Sequence, residues 1–294
     1  GGYYCVSGVD TPTPLGSFAG VGGPCPAGFY CPEGTSLPIP CPAGTFSNLT
    51  SLSDEASCFE CPPGQFCTGG ETTPSGPCEA GYYCEGGATV SQPSDGETGD
   101  ICPTGHRCAL QSSTPEPCAA GTYNSLQGQE DCTECPTGFF CLQGASSFAS
   151  NPCPVGHYCP SGTEFSTEFE CPAGTFNNVT GAEALEDCIP CTPGYYCLTP
   201  GLENPSGPCD AGWYCESGAS TPQPMVNTSD ATVCPYIGLG GICPRGSFCP
   251  EGSREPTPCE PGRVCSSSNL PASDGDCAAG FLCYGGASVF EPTD

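Results

Sequence analysis

The sequence predicts a small disulfide-rich fold: an elongated tandem array of short cysteine-stapled modules, with turns, minimal β-strand and almost no helix. Three observations carry that expectation. The 294 residues include 30 Cys, 43 Gly and 36 Pro, which leaves too few core-forming side chains for a large apolar interior. The motif C-x-x-G-x-x-C occurs eleven times, and a fixed internal period is the signature of a repeat architecture. No run free of Gly, Pro and Cys exceeds the thirteen residues from Thr45 to Ser57, so helices of the usual three turns have nowhere to form.

Taken along the chain, residues 1–24 open with Gly1, Gly2, Tyr3, Tyr4 and Cys5, which fit the last five places of a short unit. A module interrupted at its start, followed by a spacer, is therefore expected. Residues 25–101 form block A, with a short unit from Cys25 to Cys31, a long one, and short units from Cys61 to Cys67 and Cys78 to Cys84. The long form begins C-x-x-G-T-[FY] but delays its closing cysteine; here it runs from Cys41 to Cys58. Block B, 102–152, holds Cys102 to Cys108, the long unit Cys118 to Cys132, and Cys135 to Cys141. Block C, 153–242, repeats the order of block A with Cys153 to Cys159, the long unit Cys171 to Cys188, Cys191 to Cys197 and Cys209 to Cys215. Its PSGPCDAGWYCESGA at 205–219 is nearly verbatim PSGPCEAGYYCEGGA at 74–88, as duplication of a multi-module block would leave it. Block D, 243–294, contains Cys243 to Cys249, Cys259 to Cys265 and Cys277 to Cys283, then a stretch resembling the spacers that lead into further modules. A window from a longer array is the expectation.

Two disulfide schemes are open. Closing each unit on itself uses 28 cysteines and leaves Cys5 and Cys234 unassigned, the latter in the insertion CPYIGLGGIC, from which it can also reach Cys243. The rival joins consecutive units, as Cys31 to Cys41 and Cys67 to Cys78, but forces Cys58 onto Cys61 in a strained C-x-x-C loop. The first is preferred, although connectivity does not follow from sequence. Each bridge contributes about 2–3 kcal/mol by loop entropy.

Within a short unit, Gly at the fourth place marks a backbone position of positive φ, or one too crowded for a Cβ. The two residues after it are commonly both aromatic, as in Tyr82 and Tyr83 or Trp213 and Tyr214. In extended backbone they point to opposite faces, one ring over the disulfide and one outward. The long units have room for one helical turn before the closing Cys, since Thr180 and Glu183 stand at capping-box spacing.

Cysteine at about one residue in ten places the chain in an oxidising compartment, so it is read as extracellular, secreted or at the cell surface. With 32 acidic residues against four Arg and no Lys, the net charge of −28 speaks against nucleic acid, whose phosphates need cations. No run approaches the roughly 18 apolar residues of a membrane span, and any signal or anchor is expected to lie outside this chain.

Three sequons occur, at Asn48, Asn178 and Asn227, and N-glycans are expected on them. Asn48 and Asn178 share one place in their long units, in CPAGTFSNLT and CPAGTFNNVT; the middle long unit, CAAGTYNSLQ, lacks the sequon. The spacers TPTP (11–14), SSTPEP (112–117) and STPQP (220–224) suit O-linked sugars or serve as stiff linkers. Zinc is not expected at the C-x-x-C pairs, because only His106 and His157 are present, both in the first aromatic slot of a short unit, and the cysteines are absorbed by the repeat. Calcium has two candidate loops, Ser94–Asp100 and Ser273–Asp276, where carboxylates concentrate; turn formation and solubility account for the same residues. No nucleophile has a neighbouring base and orienting group, so no enzyme is expected.

The long units, with CPAGTF, a spacer of about a dozen residues and then C-x-x-C-P-x-G, resemble the ephrin-receptor-like cysteine-rich repeats of the wider growth-factor and tumour-necrosis-factor receptor group. The resemblance implies extracellular rods and spacers, found in receptors, matrix proteins and flagellar-hair proteins. The many C-x5-C units and high Pro content depart from the receptor pattern. The function expected is a structural extracellular glycoprotein, a subunit of a filament, coat or stalk whose partners are copies of itself or neighbouring subunits. The alternative is an adhesion or receptor ectodomain that binds a soluble or cell-surface ligand.

Overall fold

A computed structural model gives the architecture and describes residues 1–6, 8, 10–14, 22–225 and 239–292. The chain divides into two compact units, Gly1–Glu134 with Cys141–Phe148 and Cys135–Phe140 with Ala149–Asp294. Each is a small disulfide-rich fold built from the same module. Regular structure among the described residues consists of twelve two-stranded antiparallel sheets and two single turns of 3-10 helix.

Thirteen disulfides are seen, ten between cysteines six residues apart and three across the long loops Cys41–Cys58, Cys118–Cys132 and Cys171–Cys188. Cys135 and Cys141 are also disulfide-bonded. This is the scheme in which each unit closes on itself. Cys5 has no disulfide partner among the described residues, and Cys234 lies outside them.

The fourth-position glycine sets the module's shape. In all fourteen units, and at Gly2, its φ lies between 75° and 91°, a left-handed conformation that L side chains adopt only at a cost. The next two residues form a strand that pairs with the two residues just before the following module's first cysteine: Phe29 opposite Pro40, Thr45 opposite Glu60, Tyr195 opposite Pro208. Proline is tolerated there because these two-residue ladders have open edges, where a missing N–H leaves no gap in a sheet.

The junction between successive modules is made by backbone. The opening cysteine donates its N–H to the preceding module's glycine carbonyl, as in Cys41 to Gly28, Cys78 to Gly64 and Cys209 to Gly194, each 2.9 Å. That glycine in turn donates to the carbonyl at the following module's seventh position, as in Gly64 to Cys84 at 2.8 Å and Gly194 to Cys215 at 2.9 Å. Contact reaches one module further. A Cβ on Gly28 would lie 2.6 Å from the Gly70 carbonyl oxygen, and one on Gly138 2.8 Å from that of Gly181, so both reasons for glycine apply at once. The carbonyls come from a second left-handed position, three or four residues after the seventh. Among the described residues, the three non-glycine residues of positive φ, Ser51, Gln111 and Asn269, all occupy it.

Sulfur forms most of the core. Among the described residues nearly every buried hydrophobic side chain is cysteine; apart from proline, Leu52, Ala88, Phe176, Trp213, Ala219 and Val264 are the others. The expected division of aromatic pairs into one inward and one outward ring holds at Tyr195, which is exposed, and Tyr196, which packs on a disulfide, but not at every pair. Tyr82, Tyr83, Phe139 and Phe140 are all half-buried, and Trp213 is buried. The second ring lies over the next module's disulfide: Phe66 over Cys78 and Cys84, Phe176 over Cys191 and Cys197, Tyr196 over Cys209 and Cys215. Two of these rings have glycine opposite them, Gly76 and Gly207, where a Cβ would press on Phe66 and Tyr196; Phe176 stands opposite Ile189.

Three junctions carry longer loops, between Cys5 and Gly22, Cys84 and Gly99, and Cys215 and Gly240. Each extends the strand pair to three residues, with the closing cysteine opposite a glycine of φ 118°, 153° or 130°. A buried proline, Pro14, Pro93 or Pro224, packs on that glycine. TPTP and STPQP are thus not free linkers along their whole length; their last prolines are part of the fold.

Candidate functional surface: the long modules and the acidic loops

A long module is a short one whose closing cysteine has been replaced. Its seventh position holds Ser47, Asn124 or Asn177, buried to 0%, 3% and 2% exposure, and the backbone there takes the junction bond that a cysteine carbonyl takes elsewhere: Gly28 donates to Ser47, Gly105 to Asn124 and Gly156 to Asn177, at 2.7–2.8 Å. The opening cysteine bonds instead to a cysteine delivered by the inserted loop. Burying an amide requires partners. Asn124 Nδ2 donates to the His106 carbonyl (2.9 Å) and the Asp131 carbonyl (3.0 Å), and Asn177 Nδ2 donates to the His157 carbonyl (3.1 Å). Sequence reasoning missed these polar core residues, although the spacing from the opening cysteine marks them.

The same side chains direct the path of the inserted loop. Ser47 Oγ accepts the Leu49 N–H at 3.2 Å, and Asn177 Oδ1 accepts the Val179 N–H at 3.0 Å. Both bonds bend the chain outward at the sequons, and Asn48, Leu49, Thr50, Asn178, Val179 and Thr180 are all exposed. Asn227 lies outside the described residues.

Two of the three inserted loops end in a 3-10 turn, Glu55–Ser57 and Leu185–Asp187; the middle one has none. The second turn is not capped by Thr180 and Glu183 as expected. Asp187 Oδ2 accepts the N–H groups of Glu183 (2.7 Å) and Ala184 (3.1 Å), which hold its carboxyl below the usual value. In the first loop, side-chain bonds from Ser53 and Ser57 lower Asp54. Glu55 accepts from the Tyr30 hydroxyl at 3.2 Å, tying the turn to the preceding module. Burial, then the Glu55 charge and hydrogen bond, raise that phenol.

The acidic loops are organised by their own backbone. Asp95 accepts the Thr98 hydroxyl and the N–H groups of Glu97 and Thr98 at 2.7–3.0 Å, which together depress its pKa to about 2. Asp274 accepts the hydroxyl and N–H of Ser266, its carboxyl lowered chiefly by the hydroxyl bond. Asp276 pairs with Arg263 at 2.7 Å. Arg107 bridges Glu116 and Asp131 at 2.8 and 3.4 Å.

His106 and His157 sit in first aromatic slots, each with Nδ1 against the carbonyl two residues before it, at 3.1 and 3.0 Å. The Nε2 of His157 is 4.0 Å from Glu170 Oε1. The cysteines of the C-x-x-C pairs at 58 and 188 are oxidised to different partners. Among the described residues no three His, Cys, Asp or Glu side chains converge on a common point, and no helix is long and apolar enough to cross a membrane.

No family model matches the chain. It is similar to the rice (Oryza sativa subsp. japonica) protein described as ABC transporter G family member 25, with 28% identity over 124 residues. The matched segment covers 42% of this chain and 9% of that protein's length.

Proposed function

We propose that this chain is a structural protein of the cell exterior, a subunit of a filament, coat or stalk built from disulfide-closed modules and acting through contacts with copies of itself or with neighbouring subunits. The regularity of its junctions supports this most directly. Within each compact unit the same glycine carbonyl, cysteine N–H and left-handed return recur from module to module, whereas a ligand-binding array concentrates its irregularity in one place. The loop before Cys243, irregular in sequence, begins and ends like the loops after Cys5 and Cys84. Fourteen units bury little besides sulfur, so cross-linking stands in for core size.

A second reading, an ectodomain of a larger membrane protein, is favoured by the similarity to a protein named as a transporter. Electron microscopy of native, non-reduced material distinguishes the two. The structural reading expects ordered assemblies with a regular repeat that contain this chain. Dispersed single chains, or a chain recovered only with a membrane fraction, would support the second reading instead.

A further inference from the structure

We propose that Asn48 and Asn178 carry N-linked glycans, presented by a bend that the substituted seventh position creates, and that the second long module is bare at the same place. This rests on the proposed exterior location.

Each sequon lies on an outward bend fastened at both ends. On one side the buried seventh residue, Ser47 or Asn177, accepts the N–H two residues on. On the other, the chain turns back at Ser51 (φ 63°) or Gly181 (φ 83°), whose N–H donates to the opening-cysteine carbonyl of the preceding module, Cys25 at 2.7 Å and Cys153 at 2.8 Å. The three residues between are exposed, and neither asparagine side chain is hydrogen-bonded among the described residues. A branched sugar on Nδ2 therefore displaces no contact of the fold.

The middle long module has the second of these fastenings, with Gly128 donating to the Cys102 carbonyl at 2.8 Å, while the Asn124 side chain is turned to the His106 and Asp131 carbonyls. Its apex reads Ser125-Leu126-Gln127, which contains no asparagine. At the residue between the sequon's Asn and Thr, Leu49 and Val179 are 49% and 60% exposed, and Leu126 is 65% exposed at the matching place. Glycans would shelter the first two from contact and leave the third open.

The transfer uses a lipid-diphosphate-linked oligosaccharide as donor. The asparagine Nδ2 bonds to the anomeric carbon, the bond from that carbon to the diphosphate oxygen breaks, the lipid diphosphate leaves, and the amide gives up one proton.

The test is peptide mass mapping of the full chain secreted by a eukaryotic cell, before and after enzymatic removal of N-glycans. Asn48 and Asn178 should each be recovered as Asp after treatment, Asn48→Gln and Asn178→Gln should each remove one glycan mass, and the double change Ser125→Asn with Gln127→Thr should add one. Unmodified Asn48 or Asn178 in a chain whose cysteines are oxidised would overturn the proposal while the exterior reading stands. A secreted chain with reduced cysteines would overturn that reading, and the proposal with it. Failure of the engineered site to gain a glycan, with the two native sites occupied, would overturn the role given to the return that all three loops share at Ser51, Gly128 and Gly181.

Discussion

The fourth-position glycine answers two constraints that can be separated by mutation. At Gly96, in the loop after Cys84, φ is 70° but a Cβ would meet nothing within 4 Å; Gly96→Ala should cost roughly 1 kcal/mol, the penalty of the left-handed conformation alone. At Gly28 the φ of 84° is joined by the Gly70 carbonyl oxygen, 2.6 Å from the would-be Cβ. Gly28→Ala should therefore cost about 1–3 kcal/mol more than Gly96→Ala, measured as the difference in thermal midpoints of the oxidised proteins. The positive φ was legible from the tight cysteine loop. The carbonyl above it was not, because it comes from two modules away. Asn124 is the residue whose role the sequence hides most fully, since an Asn beside cysteines reads as a surface turn. Asn124→Ala strips the His106 and Asp131 carbonyls of their buried donor and should destabilise the module by about 2 kcal/mol, seen as faster amide exchange around residues 105–132. Asp95 supplies a pH signature. Its pKa is lowered from 3.8 to about 2, so its contribution to loop order is full above pH 3.8 and is lost as pH falls towards and through about 2. Protection of the Glu97 and Thr98 amides should follow that window in the wild type and be absent in Asp95→Ala at any pH.

At the scale of the element, the unit of packing is a disulfide with the preceding module's ring laid over it. Phe66→Ala uncovers the Cys78–Cys84 bridge and should cost roughly 2–3 kcal/mol, near the lower end for a large-to-small change because the ring is only half-buried. Bridges differ with the loop they close. Replacing both cysteines of Cys61–Cys67 should cost about 2 kcal/mol and of Cys171–Cys188 about 3 kcal/mol, in the order of their sequence separations of 6 and 17; denaturant titration of the two double variants checks the ranking. The modules themselves were plain in the cysteine and glycine spacing, and the short loops left strands of two residues as the available regular structure. The destination of the second ring was not plain. Alternation within an extended pair says only that the rings diverge, and the neighbour that receives one of them is set by the junction. The loops after Cys5, Cys84 and Cys215 were likewise unrecognised as a class, because their lengths differ; the common sign is a proline nine residues beyond the cysteine, Pro14, Pro93 and Pro224.

For the whole molecule, stability is a sum of closed modules and of local junctions between modules one and two apart rather than the property of one core. Heating or chaotrope under oxidising conditions should accordingly release modules in steps, with the loops after Cys5, Cys84 and Cys215 as the places where cooperativity between neighbours is weakest. Cysteine content and charge give the expectation of an exterior location and of partners other than nucleic acid, but the choice between a self-assembling subunit and an ectodomain depends on surfaces that cysteine spacing does not describe. The modular architecture requires above all that covalent links stay within modules while backbone hydrogen bonds join them. Disulfide mapping of the non-reduced native protein, cleaved at acidic residues because basic ones are so few, tests this most directly. The expected products are linked pairs such as Cys61–Cys67, Cys78–Cys84 and Cys171–Cys188, each within one module. A bridge between consecutive modules, Cys31 to Cys41 or Cys67 to Cys78, would contradict it.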